Sequence, residues 1–372
     1  MRFRFVIVVL ALLGELPFFF LARGLLEARV AHAAMIVAAM CAALTWPLVV
    51  RLRRGMADSA EQGWIAPFLV VFYAFWGASL TAGVAWPALR ALTAAAGWAP
   101  QIASIAALAV GALEGALGVS WQRLHPRMRR HDVTIAGLPR ALDGYTIAQL
   151  SDLHIGAHTP PERLAGWVDR VNQLDVDLIA VTGDLITSGP SFVAATAREL
   201  GRLRARDGVA LCMGNHDYFC DAEVLVAALE KEGIDVLRNR GKTVGAGDRR
   251  YFLCGVDDTW QRRDDPARAM AEHPPELTAI ALAHDPKCFA PLARLGAGLV
   301  LSGHTHGGQI AVPLFARTLN VARIAYRHTA GLYRDRLEGR AQLFVSRGAG
   351  TTGPPLRIGA PAEIPILVLR AA

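Results

Sequence analysis

Two patterns of apolar residues divide the chain. Four long apolar stretches occupy residues 5–21, 30–50, 64–86 and 100–119, and each is close to the roughly 20 residues that a helix needs to cross a bilayer. From residue 133 onward, short apolar runs typical of buried strands alternate with amphipathic stretches typical of helices. The pattern predicts a four-helix transmembrane region over residues 1–120, a basic juxtamembrane connector over 121–132 and an α/β domain over 133–372.

The distribution of arginines predicts the orientation of these helices. A cleaved signal peptide is an alternative for the first stretch, but three further apolar stretches follow it and no small-residue cleavage site is evident before Arg23. Because positive charge favours the cytoplasmic side, we expect a multi-pass protein of the inner, cytoplasmic membrane whose α/β domain faces the cytoplasm. The arginines of the predicted cytoplasmic side are Arg2, Arg4, Arg51, Arg53, Arg54, Arg123, Arg127, Arg129 and Arg130, against Arg23, Arg29 and Arg90 on the other side.

Two carboxylic acids lie within the predicted membrane helices. Glu15 and Glu114 either face a polar partner in a substrate path or are protonated and hydrogen-bonded within the bundle. The second interpretation is favoured because these helices contain no lysine or arginine to pair with them. The five cysteines are scattered and odd in number, which argues against a disulfide framework.

Polar residues follow the predicted strands of the α/β domain at the points where these strands end. The strands are residues 145–150, 178–181, 209–213, 278–282 and 298–301. Open α/β sheets bind their ligands at this edge, so we expect the polar side chains to meet there. Each has an ordinary alternative explanation as a cap, a turn residue or a core histidine, but their joint occurrence favours a metal site. They are Asp152 and His154, then Asp184, then Asn215, His216 and Asp217, then His284, and finally His304 and His306.

The motifs DLHIG, TGD, GNHDY, AHDP and GHTHGGQ, in this order, resemble the calcineurin-like metallophosphoesterase superfamily. The segment 346–357, SRGAGTTGPPLR, is similar to the bacterial phosphodiesterase branch that includes YkuE and YaeI. The resemblance implies a four-layer αββα sandwich with two divalent ions, manganese, iron or zinc. It assigns Asp152, His154 and His306 to one ion and Asn215, His284 and His304 to the other, with Asp184 between them, His216 facing the phosphate and Asp217 orienting His216. Arg347 is a candidate for binding a second phosphate.

These expectations favour a membrane-anchored phosphoesterase that hydrolyses a phosphodiester or pyrophosphate bond. Its expected partners are the bilayer and a phosphorylated substrate, which the anchor suggests is lipid-linked. A soluble nucleotide or phosphoprotein substrate stays an alternative, as does a membrane sensor or transport regulator. No nucleic-acid partner is expected, because the chain has no long basic or aromatic tract that could follow a strand.

Overall fold

The computed structural model describes residues 13–22, 25, 58–313, 315–335 and 340–372. The chain divides into two compact units. In the described part of the chain, unit 1 contains residues 13–22, 25, 62–124 and 353–358, and unit 2 contains residues 58–61, 125–352 and 359–372. The predicted span over 30–50, residues 5–12 of the span over 5–21 and the arginines before residue 90 lie outside the described residues.

Unit 1 is helical and apolar. Its helices are α1 (Leu13–Ala22), α2 (Ala66–Ala95), α3 (Pro100–Val119) and the short α4 (Trp121–Leu124), with a 3₁₀ helix over Ser59–Ile65 before α2. The stretches Gly63–Ala95 and Pro100–Leu124 are long and apolar enough to cross a membrane. Only 33% and 28% of their most apolar parts are buried, whereas the core helix of a soluble protein is mostly buried.

Small residues bring α2 and α3 together. A Cβ atom on Gly111 would lie 2.2 Å from the backbone oxygen of Ala78, and one on Gly115 would lie 2.3 Å from that of Ala74. Only glycine permits this approach, as in other GxxxG helix pairs. Glu114 accepts a hydrogen bond of 2.7 Å from Gln122, which supports the interpretation that this acid is satisfied within the helices.

Unit 2 contains two six-stranded sheets. The first sheet has the order β1-β12-β2-β3-β4-β5, and only the β12–β2 pair within it is antiparallel. Its helices are α5 (Pro161–Asn172), α6 (Val193–Leu200) and α7 (Ala222–Lys231). Its strands are β1 (Arg127–Ile135), β2 (Thr146–Leu150), β3 (Leu178–Thr182), β4 (Val209–Cys212), β5 (Asp235–Val236) and β12 (Glu363–Ala371).

The second sheet has the order β10-β11-β9-β8-β7-β6, with a parallel centre and antiparallel outer pairs. Two short helices, α8 (Pro266–Ala269) and α9 (Phe289–Arg294), accompany it. Its strands are β6 (Arg240–Val244), β7 (Tyr251–Gly255), β8 (Ala279–Leu282), β9 (Ala297–Ser302), β10 (Gly331–Arg334) and β11 (Gln342–Val345).

Three apolar clusters define the layers of unit 2. One packs α5, α6 and α7 on the first sheet, and another packs α8 and α9 on the second. Between the sheets, alternate residues such as Ile147, Leu178 and Leu282 form the third cluster. Alternation along each strand directs one set of side chains to each face, which is why one strand contributes to two clusters. The two sheets with helices outside them are the architecture that the motifs predicted.

The predicted basic connector differs from what is found. Residues 127–132 belong to β1, which pairs in parallel with β12 from Arg127 opposite Glu363 to Ile135 opposite Ala371. The arginines of this strand point outward at the edge of the sheet, whereas Val133 and Ile135 are fully buried. The arginines alone suggested a connector. The strand that pairs with this segment lies more than 230 residues further along the chain, so the local sequence does not reveal the pairing.

Candidate metal centre

The predicted ligands lie directly after the parallel strands, and five of the seven share a strained backbone conformation. Asp152 and His154 follow β2, Asp184 follows β3, Asn215 follows β4, His284 follows β8, and His304 and His306 follow β9. Nine described residues other than glycine have a positive φ, and five of them are predicted ligands. This conformation costs about 1–2 kcal/mol for most residues and concentrates at functional sites. The five are Asp152, His154, Asp184, His304 and His306, with φ between 46° and 70°.

Glycines before the ligands let these loops approach one another. A Cβ atom on Gly183 would lie 2.5 Å from the backbone nitrogen of Gly214. One on Gly303 would lie 1.9 Å from the Ser151 hydroxyl oxygen and 2.3 Å from a carboxylate oxygen of Asp152. Any larger residue would therefore push the ligand loops apart.

A first group of side chains converges from β2 and β9. His154 Nε2 lies 3.1 Å from His306 Nε2, and His306 Nε2 lies 3.3 Å from Asp152 Oδ1. All three residues are buried, and their ligand atoms lie within 4.8 Å of one another. Such a buried set of one carboxylate and two imidazoles could hold a metal ion.

A second group converges around Asp184. Asp184 Oδ2 lies 3.2 Å from His284 Nε2, and His304 Nδ1 lies 3.1 Å from the same His284 atom. Asp184 Oδ2 also lies 3.5 Å from His154 Nε2, so this carboxylate faces both groups. Asn215 Oδ1 is buried and has no hydrogen-bond partner within the described parts of the chain, which suits an oxygen ligand. The structure thus brings Asp152, His154 and His306 together in one group and Asp184, His284 and His304 in the other.

Comparison with known proteins identifies the family. The model of the calcineurin-like phosphoesterases matches residues 145–308, a range that contains all seven predicted ligands. YkuE of Bacillus subtilis, an uncharacterised metallophosphoesterase, is 30% identical over 273 residues, which are 71% of this chain and 94% of that protein. The chain belongs to the calcineurin-like phosphoesterase family.

Other relatives of this phosphoesterase include proteins named for a membrane region. A Danio rerio protein described as a transmembrane protein with metallophosphoesterase domain is 32% identical over 282 residues. The match covers 72% of this chain and 63% of that protein. An uncharacterised metallophosphoesterase of Helicobacter pylori is 31% identical over 273 residues, which are 70% of each chain.

The electrostatics of the phosphoesterase site are strongly perturbed. Burial raises the pKa of Asp152 to about 6, although the positive charge of His284 opposes this shift. Burial alone would lower the pKa of His284, but the Asp184 carboxylate raises it to about 10. The pKa of Asp184 is held well below its usual range by His284 and His216 against the effect of burial. Burial and the charge of His284 lower the pKa of His304 to about 4. Ionisable groups with pKa values pushed this far apart are typical of functional sites.

His216 lies beside two of the predicted ligands, His154 and Asp184, and its catalytic role stays a prediction. Its Nδ1 lies 2.8 Å from the carbonyl oxygen of Thr187, and its ring meets that of His154 edge-on with centroids 4.6 Å apart. Because the carbonyl can only accept, Nδ1 carries a proton and Nε2 faces outward, 3.4 Å from Thr352 Oγ1. His216 could also join a metal group with His154 and Asp184, since their ligand atoms lie within the same short range.

Asp217 does not make the contact that the sequence suggested. Its carboxylate accepts hydrogen bonds from the backbone N–H groups of Asp184, Leu185 and Gly214, at 3.0, 2.7 and 2.9 Å. The orienting partner found for His216 is Thr187 instead. The expectation was wrong because neighbouring residues in a short helical turn project in different directions, so Asp217 fixes the ligand loops. A catalytic role of Asp217 stays a prediction.

Sequence reasoning missed two aromatic residues that lie against the site. The Tyr326 hydroxyl lies 2.7 Å from His304 Nε2, the ring nitrogen opposite the one that faces His284. Trp260 lies on the neighbouring side, with its ring centroid 5.6 Å from that of His304. Neither aromatic residue belongs to a motif, so only the fold could reveal them.

The two arginines of the C-terminal segment lie in different surroundings. Arg347 Nη1 forms an ion pair of 2.9 Å with Glu363, and a Cβ atom on Gly307 would lie 2.9 Å from the Arg347 side chain. Arg347 therefore lies beside the loop of His306, and its role in phosphate binding stays a prediction. Arg357, which belongs to unit 1, is fully buried.

Proposed function

We propose that the protein is a membrane-anchored phosphoesterase that uses two divalent metal ions to hydrolyse a phosphodiester or pyrophosphate bond. The observation that carries this proposal is the position of Asp184 Oδ2, 3.5 Å from His154 Nε2 in one group and 3.2 Å from His284 Nε2 in the other. A carboxylate shared by two ligand groups suits a pair of ions rather than one.

The donors fit such ions. Buried carboxylates, imidazoles and an amide oxygen match manganese, iron or zinc better than magnesium or calcium. Asp152, His154 and His306 would hold one ion, and Asn215, His284 and His304 the other, with Asp184 in contact with both. When bound, divalent ions supply the charge that neutralises phosphate oxygens and activates water for attack on phosphorus.

His216 supplies proton chemistry. Its Nδ1–H donates to the Thr187 carbonyl, which fixes the orientation of the ring. Nε2 is then the atom that can donate a proton to the leaving oxygen or stabilise charge on the phosphoryl group. The ring is partly exposed, so a substrate can reach it, whereas His154 and His306 are buried.

Anchoring in the membrane is supported by the two long apolar helices and by the membrane-named relative. Helix α4 ends at Leu124 and β1 begins at Arg127, so a very short link joins the phosphoesterase unit to the apolar stretch Pro100–Leu124. A short link keeps the site near any bilayer that this helix crosses. The proposed substrate is therefore a lipid-linked phosphate.

The test uses the full-length protein in detergent with added manganese. Hydrolysis of bis(4-nitrophenyl) phosphate reports phosphodiesterase activity, and mass spectrometry of a membrane lipid extract reports which phospholipid is consumed. Metal content is measured on the same samples. We expect His216→Gln to keep the metal content and to lower kcat by about 10²- to 10⁴-fold, the range for loss of a general acid.

The control is Asp184→Ala, which removes the shared ligand and should lose both metal and activity. A metal-loaded protein that cleaves neither the model diester nor any lipid phosphate would refute the proposal. Hydrolysis of soluble diesters without any change in the lipid extract would instead refute only the lipid-linked substrate.

A further inference from the structure

One surface segment of the phosphoesterase unit exposes an unusual number of apolar side chains. Seven large apolar residues of unit 2 are exposed among the described residues, and four of them lie within ten residues of one another. Ile324 has 89% of its surface exposed, which is the highest value of the seven. The other three are Phe315, Leu319 and Val321, at 57%, 53% and 55%. Clusters of this kind on a folded unit mark interaction sites.

Arginines interleave with these apolar residues. Residues 315–327 contain Arg317, Arg323 and Arg327, all exposed, and no acidic residue. Arg317 donates to the backbone oxygen of Leu332 and Arg323 to that of Arg327. Carbonyl oxygens carry no net charge, so these hydrogen bonds leave the positive charge of the segment in place. We call residues 315–327 the rim segment.

The rim segment is fixed beside the metal centre. Tyr326 within it contacts His304 Nε2 at 2.7 Å, and Asn320 pairs with Ala311 in the loop that continues from His306. Trp260 flanks His304 from another loop and has 60% of its surface exposed. Exposed apolar and cationic groups thus border the opening of the proposed catalytic site.

Alternating apolar and basic residues, with an interfacial tryptophan nearby, suit the surface of an anionic bilayer. The apolar groups enter the boundary between headgroups and acyl chains, while the arginines contact phosphate headgroups. A protein partner could match the apolar groups, but the helices of this same chain keep a bilayer within reach at all times. The positive charge of the rim segment and the apolar helices of the same chain therefore favour a lipid surface as its binding partner.

We infer that the rim segment, together with Trp260, docks on an anionic lipid surface and holds the metal centre against lipid headgroups. This inference rests on the proposed function of the same site and names its partner.

The test places a fluorescent probe on the rim segment of the full-length chain. Ile324→Cys is labelled with an environment-sensitive dye after Cys41 and Cys220 have been replaced by serine, because the other cysteines are buried. The protein is placed in nanodiscs of phosphatidylcholine and phosphatidylglycerol that contain nitroxide-labelled lipid. The matched control is Leu295→Cys. Leu295 is also an exposed apolar residue, at 42%, but it lies before the first residue of β9, whereas the rim segment lies beyond the last residue of that strand.

We expect the nitroxide lipid to quench the dye at position 324 at least about threefold more strongly than at position 295. Arg323→Glu with Arg327→Glu should reduce this quenching. Equal quenching at both positions would overturn the inference. A dye at position 324 that is shielded from water but not quenched by the nitroxide lipid would also overturn it, because this result would indicate a protein partner. Hydrolysis of bis(4-nitrophenyl) phosphate is measured separately, so that a failure of the proposed function is recognised apart from a failure of docking.

Discussion

The contact between Tyr326 and His304 makes a sharp prediction about metal binding. His304 Nδ1 faces His284 Nε2 at 3.1 Å, so Nδ1 is the atom available to a metal and Nε2 carries the proton. This Nε2–H donates a hydrogen bond of 2.7 Å to the Tyr326 oxygen. Burial raises the pKa of Tyr326 to about 12, so the phenol is neutral near pH 7. Tyr326→Phe removes the acceptor and keeps the ring.

The magnitude follows from the role of such partners. Groups that orient a metal-bound histidine typically contribute 10- to 100-fold in metal affinity, which is about 1.4–2.7 kcal/mol. The change should affect only the group of Asp184, His284 and His304. Asp152, His154 and His306 form the other group, and this group should keep its affinity. Metal titration should therefore separate into a weakened step and an unchanged step.

Competition with a chromophoric chelator measures both steps on the full-length protein. The matched control is Tyr333→Phe, because the Tyr333 oxygen also accepts hydrogen bonds, from the backbone N–H groups of Thr329 and Ala330 at 3.1 and 3.3 Å. This control should leave both metal steps unchanged. Thermal unfolding, followed by a dye that reacts with the buried thiols of Cys212, Cys254 and Cys288, verifies that each variant is folded. Equal metal affinities in Tyr326→Phe and wild type would refute the reasoning.

Two further predictions concern the same centre. Gly303→Ala should abolish metal binding, because its Cβ would lie 1.9 Å from a hydroxyl oxygen. The control, Gly166→Ala on α5, meets nothing within 4 Å and should be neutral or slightly stabilising. Metal content and thiol-dye unfolding distinguish these outcomes. Metal binding near neutral pH should release about one proton. The pKa of His284 is raised to about 10, so the imidazole is protonated below that value, and a metal must displace this proton. Calorimetry in two buffers of different ionisation enthalpy measures this release, and identical heats in both would contradict it.

Local pattern was sufficient to predict the strands of the sheet centres and the residues that follow them. The runs at β3, β8 and β9 are almost wholly buried, so their apolar character is continuous and their ends are marked by glycine and polar residues. Parallel strands place all these ends at one edge. The ligand positions could therefore be predicted without any knowledge of loop conformation.

Contacts between distant parts of the chain could not be predicted in this way. β1 is an exposed edge strand whose arginines hid its alternation, and its partner β12 lies at the other end of the domain. Tyr326 reaches His304 across 22 residues that follow no regular pattern. The carboxylate of Asp217 was assigned to its sequence neighbour His216, although the folded backbone offers it three N–H donors.

The conformation of the ligand loops connects stability with function. Aspartate and histidine adopt the left-handed region more readily than most residues, but holding five ligands there together still costs stability. Short backbone hydrogen bonds offset part of this cost: Asp152 N–H donates to Gly183 and His154 N–H to Asp184, both at 3.0 Å. The Asp217 carboxylate ties down three more N–H groups beneath the ligands. These contacts hold the ligand loops before any metal binds, so metal binding need not reorganise the backbone. The two buried sheets supply the stability that offsets the strain of the loops.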